Sequence, residues 1–98
     1  MRIKIDFSLL KLNTRDFLGK CGYRPIKSRH NKFSYVKSLR GDRFPRFHIY
    51  VNDYGLNLHL DQKAPSYKDS HAHSGLYNGK LVQKETQRIK KYLALYQS

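Results

Sequence analysis

The sequence is poor in acidic residues. Only 7 Asp and Glu stand against 20 Lys and Arg, which leaves a formal charge of +13 over 98 residues. An excess of this size repels itself in a compact fold, so an anionic partner is expected. Cys21 is the single cysteine, which excludes an intramolecular disulfide and any zinc site with two or more thiolate ligands. A reduced, cytoplasmic setting is the matching expectation. No stretch approaches the roughly 18 apolar residues of a membrane span. Met1–Asp6 alternates charged and apolar residues, unlike a signal peptide or a myristoylation site. The chain also lacks a lipidation motif and a strongly amphipathic basic helix, which ranks a membrane surface below nucleic acid as the polyanion.

Hydrophobic residues nevertheless make up 39% of the chain, with 8 Tyr and 5 Phe. That suffices for one modest core and excludes a wholly disordered basic tail. The expectation is one domain over residues 1–98.

The charge is unevenly placed. Residues 1–50 hold 13 Lys and Arg against 3 acids, and residues 51–98 hold 7 against 4. The densest stretch contains Lys20, Arg24, Lys27, Arg29, Lys32, Lys37, Arg40, Arg43 and Arg46 against Asp42 alone. These cations are interleaved with Tyr23, Phe33, Tyr35 and Phe44. Spaced cations among aromatics suit a folded surface that meets a phosphate backbone, whereas a solid lysine block suits a flexible tail. The plainer alternative is a solubilising face. Arg40-Gly41-Asp42 is a triplet that a short basic turn produces by chance.

Ile3, Ile5 and Phe7 alternate with Arg2, Lys4 and Asp6, as in a short half-buried strand. Asn13 or Thr14 can cap a helix that carries Phe17, Leu18 and Cys21 on one face and stops at Gly22. Cys21 on that face reads as a small buried apolar residue. Residues 32–40 and 44–51 read as two strands joined near Gly41-Asp42, and Leu56–Asp61 as a third. A loop over 62–79, either functional or flexible, precedes a helix with Val82, Ile89, Tyr92, Leu93 and Tyr96 in one stripe. Lys84, Gln87, Lys90 and Lys91 fall outside that stripe. The order β-α-β-β-β-α predicts an α+β two-layer sandwich. Its antiparallel sheet has three to four strands, and the C-terminal helix covers one face.

Arg46–Asp61 is the most informative segment. Asn52-Asp53-Tyr54-Gly55 signals a turn between two strictly alternating flanks. Pairing Val51 with Leu56, Ile49 with Leu58 and Phe47 with Leu60 makes one face wholly apolar. The same register sets Tyr50 opposite Asn57, His48 opposite His59 and Arg46 opposite Asp61. A slip of one residue would destroy the apolar match. Opposed side chains have Cβ atoms about 4.5–5.5 Å apart, so His48 and His59 become neighbours beside an Arg46–Asp61 ion pair. Two charged imidazoles at that range repel, and a shared proton, an anion or a metal relieves them. The loop adds His71-Ala72-His73, which can converge with the pair and Asp61.

Three readings stay open. The histidines can simply decorate a solvated face. They can form a metal site, zinc foremost, with His48, His59, His71 and His73 as ligands. They can also form an anion or catalytic site, in which one imidazole is general base and the other general acid at a phosphodiester, with Arg46 steadying the developing charge. RNA cleavage of this kind needs no metal, because the 2′-hydroxyl is the nucleophile. His30, in Ser28-Arg29-His30-Asn31-Lys32, is a separate catalytic candidate, with a surface role in a basic turn as its alternative.

The segment Phe17-Leu-Gly-Lys-Cys-Gly-Tyr-Arg-Pro-Ile-Lys-Ser-Arg-His30 resembles the opening of HicA-type RNA-cleaving toxins. The resemblance implies a double-stranded-RNA-binding-like fold: helix, three antiparallel strands, helix. Gly22-Tyr23 matches that family's helix end, Lys27 its basic residue, and His30 takes the place of its catalytic histidine. Ser28-Arg29 replaces the family's Gly-Ser, the spacing is about two residues shorter, and a strand precedes the helix. His59-Leu-Asp-Gln-Lys63 with His71-Ala-His-Ser-Gly75 is also similar to small uncharacterised prokaryotic proteins, which implies no function.

The resulting expectation is a small basic RNA-binding protein. Phosphate contacts come from the 20–46 stretch, and Tyr23, Phe33 and Tyr35 stack on bases wherever their rings are exposed. Phe33 and Tyr35 are equally candidates for the core. The reading extends to a metal-independent ribonuclease using His48, His59 or His30. The rival is a small zinc-binding domain of unassigned role, and a protein partner is a third possibility.

Overall fold

The structure, a computed structural model, describes residues 1–27, 32–62, 75–76 and 79–98. The chain runs β1 (Arg2–Lys4), a 3-10 turn (Phe7–Leu9), α1 (Thr14–Lys20), β2 (Arg24–Lys27), β3 (Phe33–Ser38), β4 (Arg46–Asn52), β5 (Gly55–Asp61), β6 (Gly75–Leu76) and α2 (Lys80–Tyr96). It is an α+β fold in two layers. An antiparallel sheet in the order β1-β5-β4-β3-β2 forms one layer, and the helices pack on one of its faces.

The strand count exceeds the three to four expected. Arg24–Lys27 is a strand, paired with β3 from Arg24↔Val36 to Lys27↔Phe33. Pro25 reads as a breaker in sequence because it cannot donate to a ladder, but an edge strand has one side with no ladder to join. β1 pairs with the Gly55–Asn57 part of β5, and β6 pairs with Leu60 and Asp61 on the same side of β5. Gly75–Leu76 thus belongs to the sheet, within the stretch expected to be a loop. The rest of that loop, apart from Gln62 and Gly79, lies outside the described residues.

The helices form where local chemistry supports them. Asn13 accepts from the Asp16 amide and caps α1, and Gly22, with a positive φ of 95°, takes the left-handed turn after it. The α2 stripe buries Val82, Ile89 and Leu93 against Phe17, Leu18, Tyr35, Phe47, Ile49, Leu56, Leu58 and Leu60. Each large apolar side chain removed from water there contributes about 1.5–3 kcal/mol. Lys84, Gln87, Lys90 and Lys91 stay exposed on the outer face of α2. Backbone bonds from Lys11 to the Tyr96 carbonyl and from Ser98 to the Leu9 carbonyl fasten the end of α2 to the turn before α1.

Because side chains alternate along a strand, packing the helices on the Phe47/Ile49/Leu58/Leu60 face consigns every second residue to the other face. That face carries Arg2, Arg24, Ser34, Val36, Arg46, His48, Tyr50, Asn57, His59 and Asp61.

Candidate functional site

The hairpin β4–β5 has the register its alternation requires, from Arg46↔Asp61 through His48↔His59 to Asn52↔Gly55. Asp61, the last residue of β5, gathers the polar groups of the second face. His48 Nδ1 lies 2.8 Å from Asp61 Oδ2, and His59 Nε2 lies 2.9 Å from Asp61 Oδ1. Arg46 Nε approaches Oδ2 at 3.4 Å, and the Arg46 guanidinium rests over the Phe44 ring, 4.4 Å from its centroid. On its far side, His48 Nε2 is 2.8 Å from Ser34 Oγ. In the tautomer that donates from Nδ1 to Asp61, Nε2 accepts from the Ser34 hydroxyl, giving the chain Ser34–His48–Asp61–His59.

Both imidazoles are 8% exposed as side chains, and Ser34 is fully buried. Burial by itself would raise the Asp61 carboxyl. The hydrogen bonds from His48 and His59, with the attraction of their charge, outweigh it and hold the carboxyl well below the usual carboxylate range. Asp61 is therefore an ionised acceptor throughout the physiological range.

Tyr50 roofs the pair. Its ring stacks on His48 with centroids 4.4 Å apart and on His59 at 5.3 Å, while the two imidazole centroids are 5.0 Å apart. Tyr50 itself is 45% exposed. The site thus presents a partly exposed aromatic ring stacked on two buried imidazoles, which in turn hold a carboxylate. Exposed Arg2 and Lys4 on β1 flank this face on one side, and exposed Arg24 on β2 flanks it on the other.

The nine expected cations fare differently. Lys20, Arg24, Lys27, Lys32, Arg40 and Arg43 are exposed, Lys37 is half-buried, and Arg46 is buried against Asp61 and Phe44. Arg29 lies outside the described residues, as do His30, His71 and His73. The described structure therefore brings together His48, His59, Asp61 and Arg46.

Two of the three rings offered for stacking are withdrawn. Tyr23 is buried and donates its hydroxyl to Glu85, and Tyr35 is buried on the helix-covered face. Phe33 is exposed. Alternation sets Phe33 and Tyr35 on one face, and the split arises because Phe33 lies at the end of β3, beyond the core cluster. Cys21 is buried as expected, and burial pushes its thiol up to about 11, which removes it as a nucleophile at neutral pH.

Sequence reasoning missed Ser34, Arg2 and Lys4. The alternation in Arg2-Ile3-Lys4 already points both cations away from the core. The place of β1 beside β5, which sets them around Tyr50, has no local signal. Ser34 likewise joins His48 only through the β3–β4 register.

No known protein family matches the chain, and no curated protein or solved structure matches it.

Proposed function

We propose that the protein binds RNA, with Tyr50 as a stacking platform for an unpaired base and the flanking cations as phosphate contacts. The observation that carries this reading is the placement of the exposed Tyr50 ring between Arg2 and Lys4 on one side and Arg24 on the other, on a single sheet face. Neighbouring strands are about 4.8 Å apart, so Arg2, in Tyr50's own cross-strand row through Asn57, stands roughly 10 Å from it on one side, and Arg24, two strands away in the row of His48, roughly 12 Å on the other. A nucleotide strand offers a π-face at every base and a charge at every phosphate, and a ring between cations answers both. The buried imidazoles stacked on the Tyr50 ring restrain it, which lowers the ordering cost of stacking on it. The +13 charge and the HicA-type resemblance point to the same class of partner.

RNA cleavage is the narrower extension of this reading. It requires imidazole nitrogens that reach a 2′-hydroxyl and a leaving oxygen, whereas His48 directs its two at Asp61 and Ser34 and His59 directs Nε2 at Asp61. Binding is therefore the function proposed, with no cleavage step. The test is the salt dependence of affinity for a single-stranded RNA oligonucleotide. The slope of log affinity against log salt is expected to be steep, losing about 0.7 for each phosphate-contacting cation removed, as in Arg24→Ala. A flat slope, or no binding at low salt, overturns the reading.

A further inference from the structure

We infer that His48, His59 and Asp61 form a binding site for a divalent transition metal of the zinc class. This does not depend on the RNA reading. The candidate ligand atoms, one from each residue, all lie within 4.8 Å of one another. Two imidazole nitrogens and a carboxylate oxygen are the donor set of three-ligand zinc sites, and hard cations such as Mg²⁺ prefer oxygen alone. Zinc bonds of about 2.0–2.1 Å at tetrahedral angles space ligand atoms roughly 3.3 Å apart. Asp61 already holds the histidine nitrogens at 2.8 and 2.9 Å from its oxygens. Closing the widest separation thus takes about 1.5 Å of ring motion.

The surroundings are built for the task. A metal-ligating histidine ordinarily has its remote nitrogen fixed by a partner, and Ser34 Oγ stands 2.8 Å from His48 Nε2. With Nδ1 on the metal, Nε2–H donates to that hydroxyl, so a change of tautomer readies the ring without loss of a proton. Tyr50, stacked on both imidazoles, restrains their tilt. Among the described residues, Arg46 is the cation that contacts Asp61, at a long 3.4 Å, and the Phe44 ring beneath its guanidinium gives it a second partner. Three protein ligands leave at least one coordination position for water or another ligand.

The test uses the tag-free full chain, stripped with chelator and titrated with Zn²⁺ by calorimetry. One equivalent is expected to bind at micromolar concentration or below, unaffected by millimolar Mg²⁺. His48→Ala and His59→Ala are each expected to weaken binding by about 100-fold. Co²⁺ added to the unsubstituted protein should shift the ring resonances of His48, His59 and Tyr50 before those of the other histidines. That measurement decides the matter alone if circular dichroism shows that either variant fails to fold. Absence of saturable binding up to millimolar Zn²⁺, wild-type affinity in both variants, or Co²⁺ shifts confined to other histidines would each overturn the inference.

Discussion

The Tyr23 hydroxyl donates to Glu85 Oε2 at 2.5 Å across 62 residues of sequence. Glu85 is buried, and its two oxygens also accept from Arg88 Nε at 2.7 Å and Arg88 Nη2 at 2.8 Å. Arg88 Nη2 continues the network to the Cys21 carbonyl at 2.5 Å. One turn of α2 is thereby fastened to the end of α1 and the entry to β2. Burial, and then the bond to Glu85, hold the Tyr23 hydroxyl far above its ordinary range, so it stays a donor at every pH the fold meets.

Tyr23→Phe removes that donor while leaving the buried carboxylate. The expected cost is about 1–3 kcal/mol, because the group left behind is desolvated and short of a partner. Urea unfolding followed by circular dichroism measures it, and a change too small to resolve would show that Arg88 alone satisfies Glu85.

Acid should loosen the second face of the sheet first. The Asp61 carboxyl titrates below its unfolded value, so the native state binds fewer protons there. Its contribution is full above the ordinary carboxylate value of about 3.9 and is lost as pH falls below it. Asp61→Asn should cost roughly 3 kcal/mol near neutral pH, by depriving buried partners of their anion. It should also flatten the loss of stability between neutral and acid pH. Parallel pH series of denaturant midpoints for the two proteins test both statements.

Tyr50 separates recognition from folding. Tyr50→Ala should weaken RNA binding by about 1–3 kcal/mol, the worth of one stacked base, while Tyr50→Phe keeps the ring and most of the affinity. Because Tyr50 is exposed at the margin of its network, neither substitution should abolish cooperative unfolding. Fluorescence anisotropy with a labelled oligonucleotide reads the first effect and thermal melting the second. Equal affinities for the two variants would remove Tyr50 from the interface.

Gly55 is fixed by a close approach. Its φ is +151°, and a Cβ there would stand 2.0 Å from the Ile3 carbonyl oxygen. Gly55→Ala should therefore push β1 away from β5 and cost about 1–3 kcal/mol or more. Hydrogen exchange is expected to show the Ile5 amide, which bonds the Tyr54 carbonyl at 2.9 Å, losing protection before the amides of β4.

The hairpin was the readable part of the site. Strict alternation on both sides of Asn52-Asp53-Tyr54-Gly55 leaves one register that buries Phe47, Ile49, Leu58 and Leu60 together, and the His48–His59 and Arg46–Asp61 pairs follow from it. Arg24–Lys27 was not readable as a strand, because Pro25 is tolerated only where the neighbouring ladder is missing on one side. Phe33 and Tyr35 look alike in sequence and share a face, yet Phe33 is 54% exposed and Tyr35 is 8%. Their difference depends on where the covering helices end.

Local chemistry alone determined the helix caps, the register of the β4–β5 hairpin and the cationic character of the chain, since each depends on neighbours within a few residues or on composition. Which side chains meet across strands was decided only by the tertiary structure. The convergence of Ser34 and Asp61 on opposite nitrogens of His48, and the flanking of Tyr50 by Arg2 and Arg24, require the order β1-β5-β4-β3-β2. That order comes from burying two helices and five strands around one core, a global condition that no short window of sequence contains.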